Sequence, residues 1–401
     1  MNDAEEIAEN VIGFEPLLDS MYKCKKGVIW KDSVAHYYLN GIEETLKLEK
    51  QLREGTYKAR KPVCFKVTHP KERDIVSISF RDRVYQRSLN DNAIYPQMSK
   101  GFIYDNMACQ KGKGTDKARN RLKAFLQKYY RKHGTDGYVL QCDISGYYPN
   151  MRHEVALETF KKKLDGWTYE KTETVLNEQY DGDTGYNPGS QMVQIAGISV
   201  LDELDHYIKE VLRIKYYIRY MDDFILIHES EEYLNTCREK IEAKLQDKGF
   251  AFNQKKTKVY SLRKGVTFLG FTFKLTDTGK VILILKPKNV KQERKKLYRL
   301  VQQAKRGEKP KAKVDECYNG WRNHAAKGNS TKLLRRMDKY YKDLWKQIIT
   351  AYAACQLVDG CAMCPLYNEE RKILTQQGIC QEKLTTDNLR KAVETLRGNW
   401  E

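Results

Sequence analysis

The chain has 401 residues, with 72 Lys and Arg against 53 Asp and Glu, which gives a formal charge of +19. That length accommodates two or three lobes around a sizeable core, and 41% hydrophobic against 31% charged residues is too apolar for wholesale disorder. No run approaches the ~18 apolar residues of a membrane span, the acidic start MNDAEEIAEN is unlike a Sec-type signal, and ten scattered cysteines fit a reducing compartment, so a cytoplasmic protein without a membrane partner is expected.

In chain order, residues 1–60 read as helical, the periodic run SVAHYYLNGIEETLKLEKQLREG closing on Gly55. Two strands follow within 63–79, joined by a turn around His69–Lys71, and then helices over FRDRVYQRSLNDNAIYPQM and TDKARNRLKAFLQKYYRKHG with the Gly-rich turn QKGKGT between them. GYVLQCDIS (137–145) is a short buried strand. A helix after Asn150 and a polar loop at 180–190 lead to a long helix near 190–212. YYIRYMDDFILIH (216–228) reads as strand, tight turn and strand, followed by a helix over 231–249 and the hairpin GVTFLGFTFKLTDTGKVILIL. Two basic amphipathic helices, KNVKQERKKLYRLVQQAKRG and STKLLRRMDKYYKDLWKQI, come next. From Lys286 to Thr350 there are twenty Lys/Arg and six Asp/Glu, so +14 of the +19 lies here. Solvated helix faces account for such a pattern as well as a polyanion does, whereas a membrane-surface helix is disfavoured because apolar residues are sparse and the aromatics are mainly Tyr.

Tyr220-Met221-Asp222-Asp223 sits between two apolar runs. Adjacent acids in a buried hairpin repel each other and lose hydration; a divalent cation resolves that conflict, since Mg²⁺ takes carboxylate oxygens and keeps positions open for substrate phosphates. A third acid, Asp143, ends another apolar strand. If the two segments are neighbours, Asp143 and Asp222 can bridge two metals about 4 Å apart, as in-line phosphoryl transfer requires. In isolation, two adjacent Asp are more often an exposed turn; the apolar flanks, the third acid and the basic segment favour a metal site here.

These residues carry a resemblance. Tyr220–Asp223 resembles the Tyr-x-Asp-Asp of reverse transcriptases, and DISGYY (143–148) the segment that supplies their first catalytic Asp. KERDIVSISFRDRVYQ (71–86) is similar to the fingers strands and following helix, and NMACQKGKGTDKA (106–118) to the next block. NPGSQMVQIAGISVLDELDHYIK (187–209) is similar to the template-and-nucleotide helix, NQKKT (253–257) to the lysine segment, FLGFTF (268–273) to the primer-grip hairpin, and CYNGWRNHAAKGNSTKL (317–333) to the thumb of bacterial non-retroviral enzymes. The ordered blocks cover about 65–335. The resemblance implies an α+β right-hand polymerase: an N-terminal helical extension (1–62), fingers (63–135), palm (136–285, with a fingers insertion at about 165–190), a basic helical thumb (286–350) and a helical tail (351–401).

It also implies roles. Asp143 and Asp222 would hold two Mg²⁺, or Mn²⁺ in their place, with Asp223 a supporting acid and the Ile144 carbonyl a further contact to metal or sugar. Lys256 is similar to the lysine that protonates pyrophosphate, with adjacent Lys255 as the alternative. Arg73 and Lys66 match the basic fingers residues that clamp the triphosphate, a guanidinium suiting bidentate phosphate contact. Tyr148 falls at the steric-gate position for the sugar, with Tyr147 as its rival, and Gln191 faces the incoming nucleotide. Tyr220, Gln194, Gly270, Lys295, Arg299 and Arg322 fall where the family touches nucleic acid. The implied partners are dNTPs, a structured non-coding or template RNA, the RNA/cDNA duplex, and an accessory protein or a second copy.

GSQMVQ (189–194) resembles the Gly-Asn-x-x-Ser-Gln of diversity-generating retroelements, with Ser190 for Asn and Val193 for Ser, and Pro188 stands where many polymerases place a Gln. Defence-associated (abortive-infection) bacterial enzymes share the stand-alone length and the divergent template helix. An RNA-binding, maturase-like protein and a protein-primed or non-templated polymerase stay open as alternatives. Cys361-x-x-Cys364, with Cys355 and Cys380 nearby, is a weak zinc pattern because the spacing is irregular and no His is near.

Overall fold

The computed structural model describes residues 3–68 and 72–356. The chain separates into two compact units, Met1–Lys264 with Asp277–Gly279, and Gly265–Thr276 with Lys280–Glu401. The cysteine pattern of the C-terminal tail, Cys361, Cys364 and Cys380, lies outside the described residues, as does the side chain of Cys355.

The first unit opens with helices α1 (Asp3–Ile12), α2 (Phe14–Cys24), α3 (Asp32–Leu39) and α4 (Gly41–Arg53), as the periodicity predicts. Their apolar stripes, with Val11, Leu17, Met21, Val34, Tyr37 and Leu48 all buried, join the core through α5 (Phe80–Leu89). Strands β1 (Val63–Val67) and β2 (Arg73–Ser77) pair antiparallel, Val67 opposite Arg73, and β1 is exposed along its whole length. Ser79 caps α5 by accepting from the Asp82 N–H, while the buried Asp82 carboxylate accepts from the hydroxyls of Ser79 and Tyr57 and from the Arg60 N–H. That cluster ties the segment before β1 to the start of α5. A short helix, α6 (Tyr95–Met98), and α7 (Thr115–His133) complete this part.

The central sheet is built from β3 (Tyr138–Asp143), β4 (Tyr216–Tyr220), β5 (Asp223–His228) and β6 (Lys258–Ser261) in the order β4-β5-β3-β6, every pair antiparallel. Val139, Leu140, Cys142 and Ile218, with Phe224 through Ile227, are buried on both faces, which is why these strands read as continuous apolar runs. Helices α8 (His153–Lys161), α9 (Gly166–Gln179), α10 (Gln191–Ser199), α11 (Asp202–His206) and α12 (Glu231–Asp247) belong to the same unit. The single long helix expected near 190–212 is broken: Leu201 leaves helical backbone at φ −96°, ψ 7°, and α11 ends in a wide turn over Tyr207–Val211.

The second unit holds a three-stranded meander, β7 (Val266–Phe268), β8 (Phe271–Leu275) and β9 (Val281–Leu285), and helices α13 (Pro287–Lys305), α14 (Lys311–Ala326) and α15 (Thr331–Gln356). Three helices thus stand where two were expected. Leu297, Val301, Val314, Tyr318, Met337 and Leu344 form their core, and Asn329 fastens the α14–α15 turn to β9 through two hydrogen bonds with the Leu283 backbone (2.8 and 2.9 Å). No helix among the described residues is long and apolar enough to cross a membrane.

Candidate active site

The two-residue turn between β4 and β5 consists of Met221 and Asp222, with Met221 in the left-handed region at φ +57°. Because β5 lies between β4 and β3, Tyr220 and Asp143 both stand opposite Asp223 in register. Three acids from two distant parts of the sequence therefore share one end of the sheet. Asp143 is gripped by the segment that precedes β6. The Asn253 N–H donates to its carbonyl (2.8 Å), its own N–H donates to the Thr257 hydroxyl (3.2 Å), and Lys256 Nζ donates to both carboxylate oxygens (2.9 Å each). Of the two candidate lysines it is Lys256 that touches the acid; the Lys255 N–H bonds the Asn253 side chain and its own side chain is exposed.

Burial pushes the Asp222 carboxyl above its ordinary range, and the Asp143 charge adds to this, against its own backbone hydrogen bond and the positive charges of Lys256 and Arg219. This is the electrostatic setting a cation relieves. Among the described residues no three Asp, Glu, His or Cys side chains converge into a metal cage. Mg²⁺ does not need one: it is commonly held by one or two carboxylates together with substrate phosphates and water. The all-oxygen donor pair of Asp143 and Asp222, one of them destabilised in its charged form, fits that ion, with Asp223 adjoining.

Sequence reasoning missed Arg219. It is fully buried, as is its partner Asp205 on α11, and the two form a bidentate pair through Arg219 Nε (2.7 Å) and Nη2. Nη1 donates to the Met221 carbonyl (3.1 Å) and Nη2 also donates to the Ile198 carbonyl (2.9 Å). Tyr217, two residues earlier and on the same strand face, donates its hydroxyl to Asp205. The signal was present in the sequence: an arginine inside the apolar run YYIRY requires a buried acid, and the one on α11 supplies it.

Tyr148 is half-buried, its hydroxyl 4.0 Å from Met221 Sδ and its ring against Gly197 of α10, where an added Cβ would lie 2.5 Å from the hydroxyl. Tyr147 is 3% exposed and donates to the Gly197 carbonyl (2.5 Å), so of the two rings Tyr148 borders the Met221-Asp222 turn and Tyr147 belongs to the core. Burial raises both phenols above their ordinary value. Ile144 is buried next to Asp143 and bridges to Phe252. Gln191 begins α10 behind the Ser190 cap, and Gln194 donates to the Pro188 carbonyl (2.9 Å). Lys66 lies 3.6 Å from Glu72 and 3.9 Å from Asp74 on the exposed hairpin, and Arg73 opens β2. In the second unit, Gly270 forms the β7–β8 turn at φ +88° beside Leu269, Lys295 and Arg299 are exposed on α13, and Arg322 is committed to Asp338 (2.9 and 3.2 Å). Asp143, Ile144, Tyr148, Tyr220, Asp222, Asp223 and Lys256 thus gather at one end of the sheet.

The sequence profile of the reverse transcriptase (RNA-dependent DNA polymerase) family matches residues 64–273, just over half of the chain. No curated protein matches. Similar solved structures include telomerase from Candida albicans in complex with a TWJ fragment of telomeric RNA, at 12% identity and a TM-score of 0.43, over 80% of this chain and 63% of that one. Apo telomerase from Candida tropicalis, truncated from its C-terminal domain, aligns at 13% identity and a TM-score of 0.41 over 60% of each chain. The chain spans less than two thirds of the length of these telomerase chains.

Proposed function

The chain belongs to the reverse transcriptase (RNA-dependent DNA polymerase) family of nucleotidyltransferases, and from that premise we propose that it copies a dedicated structured RNA into cDNA, as a bacterial enzyme of the non-retroviral, group II intron-like lineage. The observation that carries this reading is the β3–β5 register, which sets Asp143 opposite Asp223, next to Asp222 in the turn, with Lys256 on the Asp143 carboxylate. Asp143 and Asp222, supported by Asp223, would hold two Mg²⁺. Bound there, the metal supplies Lewis-acid stabilisation of charge on the transferred phosphoryl group and the attacking oxygen.

The remaining work falls to the chain itself. Lys256 holds a proton at Nζ within the site and delivers it to the leaving pyrophosphate. The Tyr148 ring closes off space below the sugar and excludes a 2′-hydroxyl. Arg73 and Lys66 clamp the triphosphate, Gln191 and Gln194 line nucleotide and template, and Tyr220 touches nucleic acid; in the second unit, Gly270 does so in its own right. Lys295, Arg299 and their basic neighbours on α13 and α15 neutralise the RNA/cDNA phosphates, which makes binding salt-dependent. The GSQMVQ segment supports a role in a diversity-generating retroelement or in anti-phage defence, in the cytoplasm.

The test is sequencing of the nucleic acid that copurifies with the wild-type protein and with Asp222→Ala/Asp223→Ala. A defined RNA with both proteins, and matching cDNA with the wild type alone, supports templated reverse transcription and names the template. RNA without cDNA from either protein, even after dNTPs and Mg²⁺ are added, replaces it with an RNA-binding, maturase-like role. cDNA covalently joined to the enzyme would point to protein priming.

A further inference from the structure

A guanidinium with no exposed surface in an apolar strand is an expensive element, and a buried ion pair seldom adds stability over a well-packed apolar one. Its presence at position 219 therefore asks for a purpose besides packing. Arg219 donates to three separate elements: to Asp205 on α11, to the Ile198 carbonyl near the end of α10 (2.9 Å), and to the Met221 carbonyl in the catalytic turn (3.1 Å). Its backbone is fixed as well. The Arg219 N–H donates to the Asp105 carbonyl (3.0 Å) and its carbonyl accepts from the Met107 N–H (2.9 Å), closing the outer edge of β4 with the 105–107 loop.

The third contact matters most. Met221 occupies left-handed backbone at φ +57°, a conformation that an unbranched L residue holds only when its surroundings over-determine it. The Met221 carbonyl belongs to the peptide that leads directly into Asp222. We propose that Arg219 is a positioning residue: anchored on Asp205, it holds the Met221 peptide, and through it the Asp222 carboxylate, in line with Asp143 at the end of the sheet. The same guanidinium reaches α10 only near its far end, at the Ile198 carbonyl, whereas Gln191 and Gln194 lie in the first turn of that helix behind the Ser190 cap, so the acid-bearing turn is what the side chain chiefly sets. This role rests on the polymerase reading above, and it predicts that loss of the arginine slows chemistry without weakening substrate binding.

Two variants separate positioning from scaffolding. Arg219→Lys keeps a positive charge beside Asp205, but one ammonium on a shorter head cannot serve Asp205 and both carbonyls together. The triple variant Asp205→Leu/Tyr217→Phe/Arg219→Met replaces the polar group by apolar side chains of similar size, which preserves packing but removes the hold on Met221. Both are measured in the full-length protein by single-nucleotide extension of a primed RNA with Mg²⁺, alongside thermal unfolding. The expected result is a maximal incorporation rate lower by about 10²-fold, the scale of a misplacement of about 1 Å. The dNTP KM, the affinity for primed RNA and the melting temperature of the triple variant should stay near wild type. A full rate in either variant, or a rate loss that only follows a loss of folded protein, overturns the proposal. A wild-type protein that extends no primer instead sinks the polymerase reading on which the role depends.

Discussion

Asp222 in the first unit and Asp338 in the second are both half-buried carboxylates with an arginine nearby, and they are pushed in opposite directions. Asp338 accepts two hydrogen bonds from Arg322 and one from the Tyr318 hydroxyl (2.6 Å), and the Arg322 bonds hold it below the ordinary carboxylate range. Asp222 is pushed up by burial and by Asp143, while the donors of Arg219 go to Asp205 and to two backbone carbonyls and reach Asp222 only through space. One acid is built into a scaffold with its charge matched; the other is kept against its own electrostatic interest. Such a mismatch is an electrostatic setting that a cation would relieve, and it sets Asp222 apart from the charge-matched Asp338.

Neutralising the mismatched acid has the largest expected effect. Asp222→Asn should lower nucleotide incorporation by at least ~10³-fold, since several kcal/mol of metal-borne charge stabilisation depend on it, yet raise the melting temperature of the metal-free protein. Primer extension and calorimetry read the two; near-normal extension would remove Asp222 from the machinery. Within the helical unit, Leu297→Ala opens a hole under a fully buried side chain and should cost about 2–5 kcal/mol in urea unfolding. An unchanged midpoint would show that this core is not the one that holds α13 to its neighbours.

Tyr148→Ala should relax sugar choice by about 10- to 10²-fold, the scale of pocket discrimination. Tyr147→Phe loses only the bond to the Gly197 carbonyl, about 1 kcal/mol of stability, and should leave sugar choice intact; competition between dNTP and rNTP in primer extension distinguishes the rings. The smallest effect belongs to the matched pair. Arg322→Gln should lower stability only slightly at neutral pH, because the pair is partly exposed and screened by solvent. Asp338 has a folded pKa below its unfolded one, so the pair's contribution is present above the ordinary carboxylate value and lost as pH falls through the lowered one. Urea midpoints of the variant and wild type should therefore converge in acid; a gap that persists there would assign the stability to packing.

Much of this was legible in the sequence, for physical reasons that differ by element. The β3–β5 pairing follows from two apolar runs, one ending in Asp143 and the other beginning at Asp223, because burial on both faces leaves few alternatives for such strands. The extension helices follow from periodicity, and the close of α4 from Gly55. The break at Leu201 was not legible: no Gly or Pro marks it. Helix α14 was hidden because KAKVDECYNGWRNHAA has Gly320 in its middle and a weak apolar stripe. Arg219 was passed over because its charge sits in a strand assignment decided by its neighbours, and the partner that explains it is on another element. The contact of Lys256 rather than Lys255 with Asp143 depends on the turn after Asn253, which side-chain type alone does not specify.

The position of β3 in the sheet has a consequence for how the protein is made. Its two neighbours, β5 and β6, are both synthesised long after it, with α8 to α11 in between. On the ribosome, Val139 through Cys142 emerge as an apolar strand with neither partner available, and the strand stays unpaired until Ile227 and then Val259 have been translated. Long-range pairing of this kind is slow and leaves sticky surface exposed. A message cut short before β6 therefore yields a chain bearing all three acids yet bare along one side of its middle strand, a product for chaperones and proteases and not a weakened enzyme.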